Sequence, residues 1–394
     1  MPGKERVLIV GVSTRGLAES ATRAGYTVLS VDGYGDMDNP AVPALSLARD
    51  LGSEYSAHAA AAAGIELEYD AVCYCSNLEN HPREVELLAR RGELWGNPLA
   101  VLRRARDPLL ISRLLRGRLR AGVTVRASAP LPDTSGPARA GVRARRAPRE
   151  WLAKPRDSGG GHGITQWQPG DPLPRGHVLQ ERIVGTPGSL AFVASGDEVL
   201  PFAVSRQLVG DAAFGASGFQ YCGSILAGHP TALVDAATEC ARMLTEELSL
   251  VGLNCLDFVA RDGVPHVIEL NPRYSSSMEL AERAFGFSVF EAHARACSLQ
   301  LSSSTNREHR ALPRLELTSS LRSVGAFGKA IIFAPRTLTM GDTRRWLDDP
   351  NVRDVPHPGE TIPRGHPVCT IFATGRDEAA CYAALVRKAV ELQD

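Results

Sequence analysis

Residues 253–273 read Leu253-Asn-Cys-Leu-Asp-Phe-Val-Ala-Arg-Asp-Gly-Val-Pro-His-Val-Ile-Glu-Leu-Asn-Pro-Arg273, and they carry the pattern that is most informative about the structure. Apolar residues flank an Arg-Asp-Gly turn, which is the pattern of a β-hairpin. A three-residue loop centred on Asp262 would pair Asp257 with Val267. Because side chains alternate along a strand, we expect one face to carry Asp257, Val267, Glu269 and Asn271.

The polar residues of this hairpin interrupt otherwise apolar strands. Opposed residues in a β-sheet have Cβ atoms roughly 5 Å apart and diagonal neighbours about 7–8 Å, so Asp257, Glu269 and Asn271 leave room for one or two small cations. Oxygen ligands suit Mg²⁺ or Mn²⁺, and Mg²⁺ completes its octahedron with water and phosphates. Arg273 follows and can fork onto phosphate oxygens. The stretch predicts a site for a magnesium–nucleotide; a solvated strand face is the alternative.

Bulk composition excludes several classes of protein. The chain has 394 residues and a formal net charge of zero, so we expect two or three domains and no overall attraction to nucleic acid or anionic membranes. No apolar run approaches the roughly 18 residues of a membrane span, and the N-terminus lacks a signal-peptide pattern. Eight scattered cysteines favour reduced thiols. These features predict a cytoplasmic protein.

The chain shows a clear order of segments. Residues 1–100 alternate short strands and helices, which predicts a parallel sheet covered by helices. An arginine-rich helical stretch covers 101–126, and residues 130–149 and 302–310 have the composition of linkers. The basic stretch lacks interleaved aromatic residues, so a solvated helix face and a linker are favoured over nucleic-acid binding.

A glycine-rich loop follows the predicted strand that ends near Lys154. The sequence continues Pro-Arg-Asp-Ser-Gly-Gly-Gly-His-Gly, and such glycines let backbone N–H groups converge on an anion. The loop is not a Walker motif, because the Gly-Lys-Ser/Thr ending is absent. We expect Lys154 to neutralise phosphates and His162 to be a tolerated loop residue rather than a base. The expected mobile lid consists of Ser158, Gly159, Gly160, Gly161, His162 and Gly163.

A rival motif lies near the N-terminus. Gly11-Val-Ser13-Thr-Arg-Gly16 follows a predicted strand, and Asp32 lies 21 residues after Gly11, which imitates a dinucleotide-binding fingerprint. However, Ser13 stands where a glycine should let the backbone approach a pyrophosphate. A tight turn between strand and helix is the favoured interpretation, and a nicotinamide or flavin site is the alternative.

The order of these elements resembles the ATP-grasp superfamily over nearly the whole chain. The resemblance implies an α/β and α+β protein with a Rossmann-like preATP-grasp domain at residues 1–100, whose glycine turn often binds no cofactor. An ATP-grasp domain of two subdomains is implied at 101–305, with its lid at about 151–206. A small C-terminal α+β domain is implied at 306–394.

The resemblance also implies roles for individual residues. Asp257, Glu269 and Asn271 match the family's metal ligands, and Lys154 matches its phosphate lysine. The strand around Gln180, Glu181 and Ile183 resembles the hinge whose backbone binds adenine. Two arginines match catalytic residues near the transferred phosphate, Arg273 and Arg206.

Two positions depart from the family pattern. A further lysine is usual before the lid, and this chain offers Arg103, Arg104 or Arg106 there. An acid that binds the ribose is usual after the hinge, and Gly188 occupies about that place. Nucleotide affinity and base choice are therefore open.

The resemblance implies an ATP- and Mg²⁺-dependent carboxylate–amine ligase that forms an amide on a small molecule through an acyl phosphate. Residues 358–370 are similar to predicted carboligases, which resemble the tyramine–glutamate ligase of methanofuran biosynthesis, so glutamate ligation in the biosynthesis of a C1-carrier coenzyme is implied. Small-molecule carboxylates and amines are the expected partners, with a homodimer left open. The alternatives are a non-catalytic ATP-binding regulatory or scaffold protein, or an NAD-dependent oxidoreductase using the N-terminal domain.

Overall fold

The structure is a computed structural model that describes residues 5–119, 121–128, 149–196, 198–301 and 325–392. The predicted linkers at 130–149, apart from Arg149 itself, and at 302–310 lie outside the described residues, as does the expected domain boundary at 305/306.

The N-terminal region is a parallel sheet with the strand order β3-β2-β1-β4-β5. Its central strands are continuous apolar runs that are buried on both faces, as parallel sheets require. The strands are β1 (Arg6–Gly11), β2 (Thr27–Asp32), β3 (Ala44–Ser46), β4 (Ala71–Tyr74) and β5 (Glu93–Leu94). The helices are α1 (Arg15–Arg23), α2 (Leu47–Asp50), α3 (Ala57–Gly64) and α4 (Pro82–Leu88), and a 3₁₀ turn covers Leu78–Asn80.

Two helices then lead to a small antiparallel sheet. The helices are α5 (Leu99–Ala105) and α6 (Pro108–Arg118), and the strands are β6 (Val125–Arg126), β7 (Trp151–Pro155), β8 (Thr165–Trp167) and β9 (His177–Glu181). The strand order is β6-β9-β7-β8. The small sheet ends at Glu181, so the range 151–206 expected for the lid also includes strands of the next sheet.

The largest sheet has eight strands in the order β14-β13-β10-β11-β12-β15-β19-β17. Strands of the C-terminal segment continue this sheet rather than forming a separate one. Its first strands are β10 (Thr186–Ser195), β11 (Glu198–Val209), β12 (Tyr221–Leu226), β13 (Gly252–Arg261) and β14 (Val264–Asn271). Its C-terminal strands are β15 (Ala326–Phe333), β17 (Val352–Arg353) and β19 (Pro367–Gly375), while β16 (Leu338–Thr339) pairs with β18 (Thr361–Ile362).

Helices cover both faces of the large sheet. The helices are α7 (Thr231–Leu248), α8 (Met278–Phe285), α9 (Val289–Leu301) and α10 (Glu378–Glu391), and 3₁₀ turns cover Ala212–Phe214 and Arg344–Asp348. The apolar stripe of α7 packs on the face that carries Leu256 and Phe258, whereas α8 and α9 pack on the face that carries Leu253 and Cys255. Full burial of one such side chain stabilises the fold by about 1.5–3 kcal/mol. Asp257 lies on the second face, two residues beyond Cys255.

Within the described residues, no helix has both the length and the apolar character needed to cross a membrane. All eight cysteines are buried and free.

Candidate active site

The hairpin of β13 and β14 differs from the predicted one in its turn and its register. Arg261 pairs with Val264, so the loop has two residues, Asp262 and Gly263, both with positive φ. The pairing of Asp257 with Val267 was wrong. A β-bulge shifts the register between Asp257 and Phe258, and Asp257 lies directly opposite Glu269.

The bulge also changes which side chains share a face. Val267 pairs with Phe258, is 3% exposed and packs in the core beneath α7, so the prediction that it lies beside Asp257 was wrong. The extra residue of the bulge, Ile268, interrupts the alternation of side chains along β14. Glu269 and Asn271 therefore lie on the face of Asp257, opposite to Val267. Bulges commonly re-aim side chains in this way next to functional sites.

Two cations hold the Glu269 carboxylate. Lys154 Nζ donates to Oε2 at 2.7 Å, and Arg106 Nη1 donates to Oε1 at 2.6 Å. Burial alone would raise the pKa of Glu269, but the charges of Lys154 and Arg106 lower it to about 2. Glu269 is therefore ionised at neutral pH.

Asp257 has different neighbours and a different charge balance. Gln207 Nε2 donates to its Oδ1 at 2.8 Å, and Asn271 Nδ2 donates to its Oδ2 at 2.8 Å. Burial, followed by repulsion from Glu269, raises the pKa of Asp257 to about 6. Two carboxylates whose pKa values are pushed apart by their surroundings are typical of functional sites.

The residues present fit a magnesium ion by donor type. Asp257 and Glu269 are opposed, and Asn271 adds an amide next to them, which is the small set of oxygen ligands that Mg²⁺ uses when phosphates complete its shell. Among the described residues, no group of three or more His, Cys, Asp and Glu side chains is arranged to hold a metal ion. The Asn271 amide oxygen faces Arg106 and Arg273, so the amide must flip to serve as a ligand. That ligand set stays a prediction.

Arg273 lies beside this cluster and is held from the N-terminal region. Its Nε donates to Glu79 Oε1 at 2.8 Å, its Nη1 donates to the Tyr274 carbonyl at 2.8 Å, and its Nη2 donates to Asn271 Oδ1 at 3.5 Å. Of the three arginines offered in place of the missing lysine, Arg106 enters the cluster, whereas Arg103 is exposed on α5 and Arg104 donates to the carbonyl of Glu247.

Arg206 is not brought to the cluster. Its neighbour Gln207 bonds to Asp257, so alternation along β11 turns Arg206 to the opposite face. There Arg206 forms an ion pair with Glu378 at the start of α10. Sequence reasoning named Arg206 and missed Gln207, because the choice between adjacent residues depends on a register across three strands.

The glycine-rich loop lies across the cluster and touches two other parts of the protein. Arg106 Nη2 donates to the Ser158 carbonyl at 2.9 Å, and the Tyr221 amide donates to the Gly160 carbonyl at 3.0 Å. Gly160, Gly161 and Gly163 have positive φ, which only glycine adopts freely. A Cβ on Gly161 would lie 1.8 Å from the carbonyl oxygen of Phe219.

Two other residues of the loop, Gly159 and His162, differ in their surroundings. His162 is exposed, and its carbonyl accepts a hydrogen bond from Ser158 Oγ at 2.9 Å. Gly159 lies close to the N-terminal region, because a Cβ there would be 3.8 Å from Ser76 Oγ. The loop therefore contacts both Arg106 of the cluster and the N-terminal region.

A pocket opens between the small and large sheets beside Lys154. Its walls are mainly apolar, and its polar lining residues are Arg106, Ser112, Lys154, Arg156, Gln180 and Glu269. Gln180 Nε2 donates to the Ile268 carbonyl at 3.2 Å. The apolar lining residues include Ile111, Val123, Val125, Val178 and Leu270.

The predicted hinge follows the same strand. The Glu181 amide donates to the Thr124 carbonyl at 2.8 Å, and the Glu181 side chain pairs with Arg149 at 3.4 Å. Ile183 lies just beyond the end of β9. The adenine contacts predicted for Gln180, Glu181 and Ile183 stay a prediction.

The N-terminal turn has the geometry of a structural element. The Asp32 carboxylate, which is fully buried, accepts hydrogen bonds from Thr14 N and Oγ1 and from the amides of Tyr34 and Gly35 at 2.6–2.8 Å. Arg15 from the same turn pairs with Glu279. Both oxygens of Asp32 are thus engaged, which fits the tight-turn interpretation and disfavours a dinucleotide.

Comparisons with known proteins agree with this architecture. Residues 126–277 match a family described as an ATP-grasp domain, whereas no curated protein matches the chain. An L-amino acid ligase from Bacillus licheniformis is 15% identical with a TM-score of 0.63, covering 99% of this chain and 98% of that one.

Two further solved structures have the same fold. N5-carboxyaminoimidazole ribonucleotide synthetase from Thermus thermophilus is 19% identical with a TM-score of 0.65, covering 98% of each chain. Biotin carboxylase from Campylobacter jejuni, a beta-gamma-ATP complex, is 15% identical with a TM-score of 0.66, covering 97% of this chain and 90% of that one. The chain shares the fold of these three proteins, and residues 126–277 match the ATP-grasp domain family.

Proposed function

We propose that the protein is an ADP-forming ligase that joins a carboxylate to an amine and uses Mg–ATP. The observation that carries the proposal is the cluster in which Glu269 lies between Lys154 and Arg106 and opposite Asp257. The glycine-rich loop and the adjacent pocket support the proposal, in which they would lie against the phosphates and the base. The names of the structural neighbours, two ligases or synthetases and one carboxylase, support the reaction class.

In the proposed reaction, an oxygen of the substrate carboxylate attacks the γ-phosphorus of ATP. The bond between that phosphorus and the β,γ-bridging oxygen breaks, giving an acyl phosphate and ADP. The amine then attacks the acyl carbon, phosphate leaves with the bonding electrons, and the amine loses a proton. Bound Mg²⁺ would neutralise charge on the phosphate oxygens.

The residues of the chain contribute mainly position and charge. In the proposal, Lys154 and Arg106 pair with phosphate oxygens, and Arg273 stabilises charge on the transferred group. The loop that ends at Gly163 excludes water, which would otherwise hydrolyse the acyl phosphate.

The test is a screen for ADP release in the presence of Mg–ATP, run against pairs of amino acids and amines with glutamate as the first acid. With an active pair, ¹⁸O in the substrate carboxylate should appear in the released phosphate, because the acyl phosphate transfers one oxygen. Lys154→Ala should abolish ADP release, whereas Lys388→Ala, on the last helix, should not. Label in AMP would refute the ADP-forming route.

The metal ligands need a readout besides activity. Calorimetry with AMP-PNP should show Mg²⁺-dependent binding to the wild-type protein and no magnesium dependence in Glu269→Gln. Unchanged titrations would contradict the metal assignment. Binding of Mg–ATP without ADP release from any pair would favour the non-catalytic alternative.

A further inference from the structure

One short turn of the N-terminal region holds both arginines of the site. The 3₁₀ turn Leu78–Asn80 presents Glu79, whose Oε1 accepts from Arg273 Nε at 2.8 Å. The next residue, Asn80, presents Oδ1, which accepts from Arg106 Nε at 2.8 Å. Arg106 and Arg273 lie 167 positions apart in sequence, so two adjacent side chains bring them together.

These bonds fix the direction of each guanidinium group. Both use Nε, which leaves the terminal nitrogens of each guanidinium for other partners. Arg106 then donates to Glu269 Oε1 and to the Ser158 carbonyl, while Arg273 Nη2 faces Asn271. Because a guanidinium is a planar, rigid fork, fixing its Nε edge also fixes where its terminal nitrogens point.

The burial of polar atoms of Glu79 and Asn80 costs free energy of folding. The Glu79 side chain is 0% exposed, and burying a carboxylate is costly. Glu79 Oε2 and Asn80 Nδ2 are both buried and have no hydrogen-bond partner among the described residues. Unsatisfied buried groups of this kind call for a functional reason, and each lies on the same side chain as an oxygen that bonds a site arginine.

We propose that Glu79 and Asn80 are positioning residues, through which the N-terminal region aims Arg273 and Arg106 at the reacting phosphate. The inference rests on the proposed function and adds to it two residues from outside the ATP-grasp domain. Glu79 acts through Arg273 on the chemical step, and Asn80 acts through Arg106 on nucleotide binding and loop closure.

The experiment is a pair of double-mutant cycles. Glu79→Ala should lower kcat for ADP release by about 10- to 100-fold, the usual loss when a supporting partner is removed, with little change in KM for ATP. Asn80→Ala should mainly weaken binding of Mg–AMP-PNP, and Asn80→Asp, which keeps an acceptor oxygen, should restore it. Glu79→Ala should add little further loss in the Arg273→Ala background, and Asn80→Ala should add little in the Arg106→Ala background.

The control is Glu86→Gln, which alters an exposed carboxylate on α4 and should behave as wild type. If Glu79→Ala does not fold, as judged by thermal unfolding, Glu79→Met carries the cycle, because it keeps most of the packing but has no acceptor oxygen, whereas Glu79→Gln, which keeps one, should restore kcat. Losses that simply add to those of the arginine variants, or wild-type kinetics in the Glu79 and Asn80 variants, would overturn the inference. A wild-type protein that neither binds Mg–ATP nor releases ADP would instead overturn the proposed function first.

Discussion

Replacing Gly161 by alanine should prevent closure of the glycine-rich loop. Gly161 has φ of +80°, and a Cβ there would lie 1.8 Å from the carbonyl oxygen of Phe219 and 2.6 Å from its carbonyl carbon. A backbone carbonyl cannot rotate away as a flexible side chain can, so the loop itself must move. The same movement would break the bond from the Tyr221 amide to the Gly160 carbonyl.

Gly160→Ala is the matched control. Gly160 also has a positive φ, +62°, but its nearest neighbour to a new Cβ is the His162 ring at 3.5 Å, which is ordinary contact. Both variants bear the strain of a left-handed alanine, about 1–2 kcal/mol, which corresponds to about a 5- to 30-fold loss of the closed conformation at 1.4 kcal/mol per factor of ten. Only Gly161→Ala adds the clash.

The assay compares Mg–AMP-PNP affinity and kcat for ADP release in the two variants. Gly160→Ala should lose about 5- to 30-fold, as its strain predicts, and Gly161→Ala should lose clearly more. Limited proteolysis should cut the loop faster in Gly161→Ala when nucleotide is present. Equal losses in the two variants would refute the clash argument and leave strain alone as the cause.

Three further predictions concern single residues. Arg206→Ala should leave ADP release within about twofold of wild type, whereas Gln207→Ala should reduce it, because only Gln207 touches Asp257; the reverse order in steady-state kinetics would contradict the face assignment. Arg273→Ala should lower kcat by about 10²–10³, the loss of one preorganised donor, while AMP-PNP binding measured by calorimetry survives. Burial lowers the pKa of His293 from 6.5 to about 4, so its contribution to stability is complete above pH 6.5 and is lost as pH falls toward 4. That loss is at most about 3 kcal/mol, and urea unfolding across this range should show a shallower pH dependence in His293→Gln.

The sequence predicts the parts of the site that depend on local pattern. Lys154 ends a short apolar strand, and the glycine run after it cannot continue that strand, so both the strand and the loop are visible in the residues. Period-two spacing likewise places Glu269 and Asn271 on one face. The Asp262–Gly263 pair is itself a strong signal for a two-residue turn, so the turn could have been predicted from the residues.

The rest of the site depends on contacts that no local pattern encodes. The bulge leaves Ile268 of β14 without a partner in β13. Ile268 is an ordinary apolar residue, and no neighbouring residue in the sequence signals a bulge there. Gln207 enters the site only through the register of β11 against β10 and of β10 against β13. Glu79 reaches Arg273 across 194 positions of sequence, which a scan of neighbouring residues cannot detect.

Under the proposed function, the charges of the cluster favour binding of the metal ion and the nucleotide together. Both oxygens of Glu269 accept from cations, Lys154 and Arg106, so the carboxylate is not free for a metal ion and the cations are not free for phosphate. A nucleotide alone would have to separate an ion pair and leave Glu269 buried and unpaired, which is costly. A magnesium ion that arrives with the nucleotide gives the carboxylate a new partner while the phosphates give the two cations theirs. Under the proposed function, the ion pairs that Glu269 forms with Lys154 and Arg106 should therefore favour binding of the magnesium complex over the free nucleotide.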